Sequence, residues 1–331
     1  MNIIESKSIK SLKPNNYMQV NDLIFKELIK RGYALEGKTR VWNIADSKLW
    51  YLSTEQAQAY LDLEKHKDYS KYMFETEIEM LKKYMPEIAE KVLNSGNVNI
   101  IDIGCGDGKK AIPVLEELHG KVKLRYCPID ISSYMVSRAI EKIGKLNKGE
   151  VVQFQWNISD FDNLENVASL LRNNDYRQNF LLFLGGTLGN FEMHEVMYEI
   201  MEAMDSSEDY LLIGVALTNA KPEDIIASYK QSLMDQFLVK VLTQIGFKRE
   251  NLEFGVRYKN SRVEMYYTLL EDMTLKFGDR SITFTKGDQI LVAISYRYRE
   301  QELKKAIKLY FKDVKFYMNE DKTWALVLCH K

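Results

Sequence analysis

From residue 98 onward the chain alternates short, continuous apolar runs with segments whose apolar residues recur every three to four positions. The runs read as buried strands and the periodic segments as helices that pack through one face. Strands are predicted at Val98–Ile103, Leu124–Ile129, Val151–Trp156, Asn179–Leu184 and Tyr210–Val215. The helices between them are predicted at Lys109–Leu118, Ser132–Ile143, Asn163–Arg172 and Glu192–Met204. A longer helix, from about Phe74 to Leu93, precedes the first strand and ends at the turn-forming Ser95-Gly96-Asn97. Strands alternating with helices of this length predict an α/β fold built on a doubly wound parallel sheet. Ligand sites in such sheets lie at the carboxyl ends of the strands.

After residue 217 the pattern changes. One long helical stretch, about Asp224–Gln244, is followed by strand-like alternation at Glu253–Tyr258, Arg262–Leu269, Thr274–Phe277, Ser281–Thr285 and Asp288–Tyr298. A helix near Gln301–Tyr310 and two closing strands, Val314–Tyr317 and Trp324–Cys329, complete the chain. A terminal hairpin after the last crossover helix predicts that the final strand enters the sheet antiparallel. Residues 1–73 are mixed and helical in pattern, with many aromatics. The expected division is therefore discontinuous. Residues 74–217 and 296–331 would form a cofactor-binding core, and residues 1–73 and 218–295 a substrate-binding α+β lid domain able to close over it.

Composition narrows the function. The 331 residues carry 46 Lys plus Arg against 47 Asp plus Glu, so no basic surplus points to nucleic acid. Lys142–Lys148 reads as a solvated helix end. Three cysteines without a Cys-x-x-Cys pair and four histidines without ligand spacing predict neither disulfides nor a bound metal. No apolar run approaches the ~20 residues of a membrane span, and the first residues are too polar for a signal peptide, so a cytoplasmic setting is expected.

The candidate chemistry sits where the strands end. Gly104-Cys105-Gly106-Asp107-Gly108 joins the first core strand to its helix, and glycines there let backbone N–H groups approach a ligand. A dinucleotide fingerprint needs a glycine at position 109, which is Lys109. The Gly-x-Gly-x-Gly pattern, with Asp102 just before it, instead favours S-adenosyl-L-methionine as cofactor, in a loop that seats no pyrophosphate. Asp130, in Pro128-Ile129-Asp130-Ile131-Ser132, ends the second strand, where an acid accepts both ribose hydroxyls. Trp156-Asn157-Ile158 ends the third, at the level of adenine, with Asp160 as a possible substitute for Asn157. The cofactor residues read from the chain are thus Gly104, Cys105, Gly106, Asp130, Ile131, Asn157 and Ile158.

The segment Gly185-Gly186-Thr187-Leu188-Gly189-Asn190-Phe191 resembles the signature of the histidine-specific methyltransferase family, whose members include ergothioneine-pathway enzymes. The likeness continues through Leu211–Val215, Ala227-Ser228-Tyr229, and more thinly Lys48-Leu49-Trp50-Tyr51 and Asp68-Tyr69. It implies N-methylation of an amino-acid-like small molecule in a Rossmann-like fold. It also implies that Gly185 and Lys110 adjoin the cofactor, that Asn190 contacts the substrate amine and carboxylate, and that Tyr229 and Tyr69 bind the carboxylate. Histidine-methylating members carry Glu-Ile-Ser in the last lid strand, where glutamate and serine hold the imidazole. Here the sequence is Ala293-Ile294-Ser295, and alanine accepts no hydrogen bond from a ring N–H. The expected acceptor is therefore an amino acid or derived amine other than histidine. No residue is assigned as general acid or base. A methyl acceptor that is not an amine, a cofactor-binding protein without catalysis and an NAD-linked oxidoreductase are the competing readings.

Overall fold

The computed structural model describes residues 20–66, 70, 74–93, 96–205 and 208–331. Tyr69, assigned above to the substrate, lies outside the described residues. Helix α1 (Val20–Arg31) leads into strands β1 (Tyr33–Glu36) and β2 (Thr39–Asn43), followed by α2 (Thr54–Glu64) and α3 (Thr76–Val92). The alternating region then runs β3 (Val98–Ile103), α4 (Ile112–Leu118), β4 (Leu124–Ile129), α5 (Ser133–Leu146), β5 (Glu150–Val151), α6 (Leu164–Leu171), β6 (Gln178–Phe183), α7 (Met193–Ala203) and β7 (Tyr210–Ala216). Beyond it lie α8 (Pro222–Tyr229), α9 (Ser232–Thr243), β8 (Leu252–Lys259), β9 (Arg262–Leu269), β10 (Met273–Phe277), β11 (Arg280–Phe284) and β12 (Gln289–Tyr296). The chain closes with α10 (Glu300–Ile307), β13 (Asp313–Met318) and β14 (Trp324–His330).

Seven strands form one sheet in the order β13-β14-β7-β6-β3-β4-β5. The β3, β4, β5, β6 and β7 pairings are parallel, whereas β14 runs antiparallel to β7 and to β13. The predicted antiparallel last strand is thus present. Every residue of β3 and β6 is buried, as expected of parallel strands covered on both faces. One face packs Ile101, Ile103 and Phe183 against α6, α7 and α10. The other packs Ile100, Phe180 and Leu182 against α3 and α4, in the alternation that the strand pleat imposes.

The second sheet has the order β1-β2-β12-β9-β8, with β10 and β11 as a separate hairpin. Its core joins Ile24 and Leu28 of α1 to Phe237 and Leu242 of α9 and to Val263 and Ile290 of the sheet. Its strands come from residues 33–43 and 252–296, so the chain enters it twice. The two crossings meet where the Thr218 N–H donates to the Tyr298 carbonyl at 2.9 Å.

Two predicted elements differ. The strand expected over Val151–Trp156 stops at Val151, and the chain turns through a 3-10 turn at Gln155–Asn157. The Asn157 side chain takes over the lost ladder bonds, accepting from the Phe154 N–H at 2.7 Å and donating to the Pro128 carbonyl at 2.7 Å. The single helix expected over Asp224–Gln244 is two, broken at Lys230 and Gln231. Neither glycine nor proline marks the break, so the periodicity carried no sign of it. Tyr229 is tied to β12 on one side of it, while Phe237 and Leu238 enter the second core on the other.

Candidate active site

The glycine loop follows directly from β3. Gly104, Gly106 and Gly108 adopt φ of 66°, 51° and 77°, a left-handed region costly to residues with a Cβ. Gly108 is fixed further by α5, because a Cβ there would meet Ala139 at 3.1 Å. The turn brings the Gly106 N–H to the Asp130 carboxylate at 3.1 Å, while the other carboxylate oxygen accepts from the Ser132 N–H at 2.9 Å. Burial pushes the Asp130 carboxyl up to about 6, against the pull of those backbone donors. At neutral pH it is mainly ionised, and each oxygen keeps a lone pair for a further donor.

Beneath the loop, burial raises Asp102 to about 7, although the Tyr126 hydroxyl donates to it at 2.7 Å. Beside it lies an acid that the motifs did not single out. Glu77 of α3 is wholly buried, and both its carboxylate oxygens accept from the Gly185 N–H at 3.0 Å. Its Oε2 also lies 3.2 Å from the Lys110 ammonium. Room for this carboxylate depends on Gly214 of β7, where a Cβ would stand 1.6 Å from Glu77 Oε1. Gly185 is constrained likewise, since a Cβ there would meet Lys110 Nζ at 2.8 Å. Gly185 of the β6 loop and Gly214 of β7 thus accommodate one buried ion pair, which holds the β6 loop to α3. A signal for Glu77 existed in the chain: it lies on the same helical stripe as Met80, Leu81, Met85 and Ile88. A lone acid on an apolar stripe requires partners.

The β6 loop continues through Gly185 and Gly186, both left-handed, into a 3-10 turn at Thr187–Asn190. This turn abuts β12 so closely that a Cβ at Gly189 would meet the Tyr296 carbonyl at 3.2 Å. Asn190 is thereby set beside the end of β12. There the Tyr229 hydroxyl donates to the Ser295 hydroxyl at 2.8 Å, and the Arg297 guanidinium lies 4.9 Å from the Tyr229 ring centre. A bulge at Val292 shifts the register between Leu291 and Ala293, and the freed Val292 carbonyl accepts from the Trp50 indole N–H at 2.8 Å.

These elements surround one cavity of about 540 Å³ between the two sheets. Gly104, Cys105, Gly106, Lys110, Asp130, Ile131 and Gly185 line it on the seven-stranded side. Asn190, Tyr229, Ala293 and Ser295 line it toward the five-stranded side. The structure does not bring Asn157 and Ile158 to the wall. Asn157 is spent on the backbone, and Ile158 is nearly half exposed outside the cavity. Ser159, Asp160 and Phe161 line that end instead. Glu64 and Phe74, which sequence reasoning passed over, also reach the cavity. Burial raises the Glu64 carboxyl, opposed by Lys110 and Lys109.

The donor set suits a nucleoside sulfonium. The Asp130 carboxylate lines the cavity beside the glycine loop, and the loop offers no phosphate cradle. Ser159 and Trp324 line the cavity, and the buried Ser159 hydroxyl and Trp324 indole N–H have no hydrogen-bond partner among the described residues. Among the described residues no side-chain cluster has the make-up of a metal site, and no helix is long and apolar enough to cross a membrane.

A doubly wound sheet with an antiparallel last strand, and a glycine loop hydrogen-bonded to the acid that ends the next strand, are the marks of a class I S-adenosylmethionine-dependent methyltransferase. Residues 48–331 match the model of the family described as "Histidine-specific methyltransferase, SAM-dependent", and the chain belongs to that family. Ergothioneine biosynthesis protein 1 of Schizosaccharomyces pombe is 22% identical over 252 residues, which are 72% of this chain and 32% of that protein. The N-methyltransferase fsqC of Aspergillus fumigatus is 23% identical over 211 residues, 60% of this chain and 56% of that one. The chain therefore spans about a third and somewhat over half of the length of these two relatives. The solved magnesium protoporphyrin IX methyltransferase from Synechocystis PCC 6803, with bound SAH, aligns over 85% of this chain and 97% of its own. Its identity is 11% and its TM-score 0.43. The protein is an enzyme that uses S-adenosylmethionine as cofactor.

Proposed function

We propose that this methyltransferase transfers methyl groups to the nitrogen of an amino acid, or of a small amine derived from one, other than histidine. The observation that carries the reading is a polar collar on the cavity wall: Asn190 from the β6 loop, with the hydrogen-bonded Tyr229–Ser295 pair from α8 and β12. A carboxamide, a phenol and a serine hydroxyl form a neutral, mixed donor–acceptor set that matches an α-amino acid group. The names of the two relatives, an ergothioneine biosynthesis protein and an N-methyltransferase, agree with an amine acceptor.

When bound, S-adenosylmethionine supplies an activated methyl group to a neutral nucleophile. The remaining work belongs to the chain. Gly106 and Asp130 would hold the ribose end, and Lys110, steadied by Glu77, would face the methionyl carboxylate. Asn190 would aim the amine lone pair along the line of displacement, which is where positioning lowers the barrier. Tyr229 and Ser295 would anchor the substrate carboxylate. Withdrawal of the amine from water favours its neutral form, so no dedicated base is required. Ala293 leaves the collar without the acceptor that an imidazole N–H needs.

The test is a product screen. Purified protein with S-adenosylmethionine is offered amino acids and biogenic amines, and products are read by mass spectrometry for whole methyl additions on nitrogen. Methylation of histidine alone, or of thiols or hydroxyls alone, would refute the proposal.

A further inference from the structure

Aromatic rings line part of the same cavity. Trp50 and Tyr51 follow β2, Tyr60 comes from α2 and Phe237 from α9, and all four line the cavity. Tyr51 and Tyr60 meet edge to face at 5.2 Å, and Phe237 lies 6.0 Å from Tyr51 and 5.9 Å from Tyr60. Trp50 closes the group, with its ring at 6.4 Å and nearly perpendicular to Phe237. Met265 and Ala293, paired in register across β9 and β12, add a thioether and a methyl to the same cavity.

Two polar atoms of this ring cluster are already occupied. The Trp50 N–H is spent on the Val292 carbonyl, and the Tyr60 hydroxyl is hydrogen-bonded to Glu64. Ala293 is fully buried and has nothing to donate or accept. A flat apolar group among the rings would gain contacts on several sides, whereas a polar side chain there would give up water against apolar faces.

We propose, resting on the amine-acceptor reading above, that the substrate carries a large apolar or aromatic side chain and seats it among Trp50, Tyr51, Tyr60 and Phe237. Specificity then comes from the lid end of the cavity. The bulge at Val292 contributes by drawing Trp50 onto β12, which turns its ring toward the cavity with its polar edge masked.

Binding alone tests this, without turnover. The full chain is saturated with S-adenosylhomocysteine and titrated calorimetrically with L-tryptophan, L-phenylalanine, L-histidine and L-alanine. Tryptophan or phenylalanine is expected to bind about 10–100-fold more tightly than histidine or alanine. Equal affinity for histidine or alanine, or no measurable binding of either aromatic amino acid, overturns the proposal. Phe237→Ala is expected to weaken the aromatic ligand about tenfold while leaving S-adenosylhomocysteine affinity unchanged. An unchanged aromatic affinity in that variant also overturns it. Ala293→Glu should narrow the preference for tryptophan over histidine at least tenfold, and an unaltered ratio counts against the proposal. Tight aromatic binding with no N-methylated product would instead fault the amine-acceptor reading and leave the pocket assignment standing.

Discussion

The seven-stranded and five-stranded sheets build their halves of the cavity in opposite ways. On the seven-stranded side the wall is largely backbone and buried acid: a left-handed glycine loop, the Asp130 carboxylate on its N–H groups, and Glu77 pinned under Gly185. On the five-stranded side it is side chain: Tyr229 on Ser295, Trp50 on a bulge carbonyl, and rings at right angles. Backbone geometry and buried charge tolerate little change, because a displaced atom leaves an unpaired group in low dielectric. An apolar wall of rings exchanges one shape for another at modest cost. Such a molecule can keep one wall of its cavity while the other changes.

The difference is broken most severely at Gly214. In Gly214→Ala the new Cβ would occupy the position of Glu77 Oε1 and drive a buried carboxylate off Gly185 and Lys110. A loss of about 3 kcal/mol or more in denaturant unfolding is expected, with cofactor affinity reduced at least about 100-fold. A silent Gly214→Ala would show that the ion pair is dispensable.

Asp130→Ala should lower cofactor affinity about 100-fold by calorimetry. The ionised carboxylate is the form that accepts hydroxyl donors, and its pKa is pushed up to about 6 by burial. Wild-type cofactor affinity should therefore be flat above pH 7 and weaken as pH falls through 6, and Asp130→Asn should flatten that dependence. The same carboxyl, protonated more readily in the folded than the unfolded chain, does not lend stability at neutral pH. The expected pH effect belongs to binding.

On the other wall, Tyr229→Phe should raise the KM for the amine about tenfold with cofactor affinity unaltered, because the hydroxyl meets only Ser295 and the cavity. A matching loss of cofactor affinity would show that the two walls are not independent. The smallest functional effect is expected at Asn157. Asn157→Ala leaves the Phe154 N–H and the Pro128 carbonyl unpaired, so stability should drop by about 1–3 kcal/mol while cofactor affinity changes less than threefold.

Asn157 also shows how far local reading reaches. Its place after an apolar run made it resemble a strand-end ligand, and the structure turns its amide inward because the strand stops at Val151. Gly104 and Asp130 were readable as cavity residues because each directly follows a buried strand, where parallel sheets present their ligand groups, whereas Asn190, seven residues beyond β6, was singled out by its motif. Glu77, Ser159 and the ring cluster were not. Glu77 meets Gly185 across 108 residues, and Trp50 meets Val292 across 242. The helix break at Lys230 escaped notice for the same reason, since the contact of Tyr229 with Ser295, rather than a local breaker, accompanies it.

The amino-acid sequence by itself determined the alternation of strands and helices, the order of the motifs along it and the kind of cofactor they serve. All of these rest on periodicity and on backbone freedom at particular glycines, which act within a few residues. Only the tertiary structure decided which acids are paired, and that Ala293 shares one cavity with Trp50, Tyr51, Tyr60 and Phe237. Those outcomes depend on burial and on partners far away in the chain. The energy of a carboxylate or an indole N–H is set by what surrounds it once water has been removed.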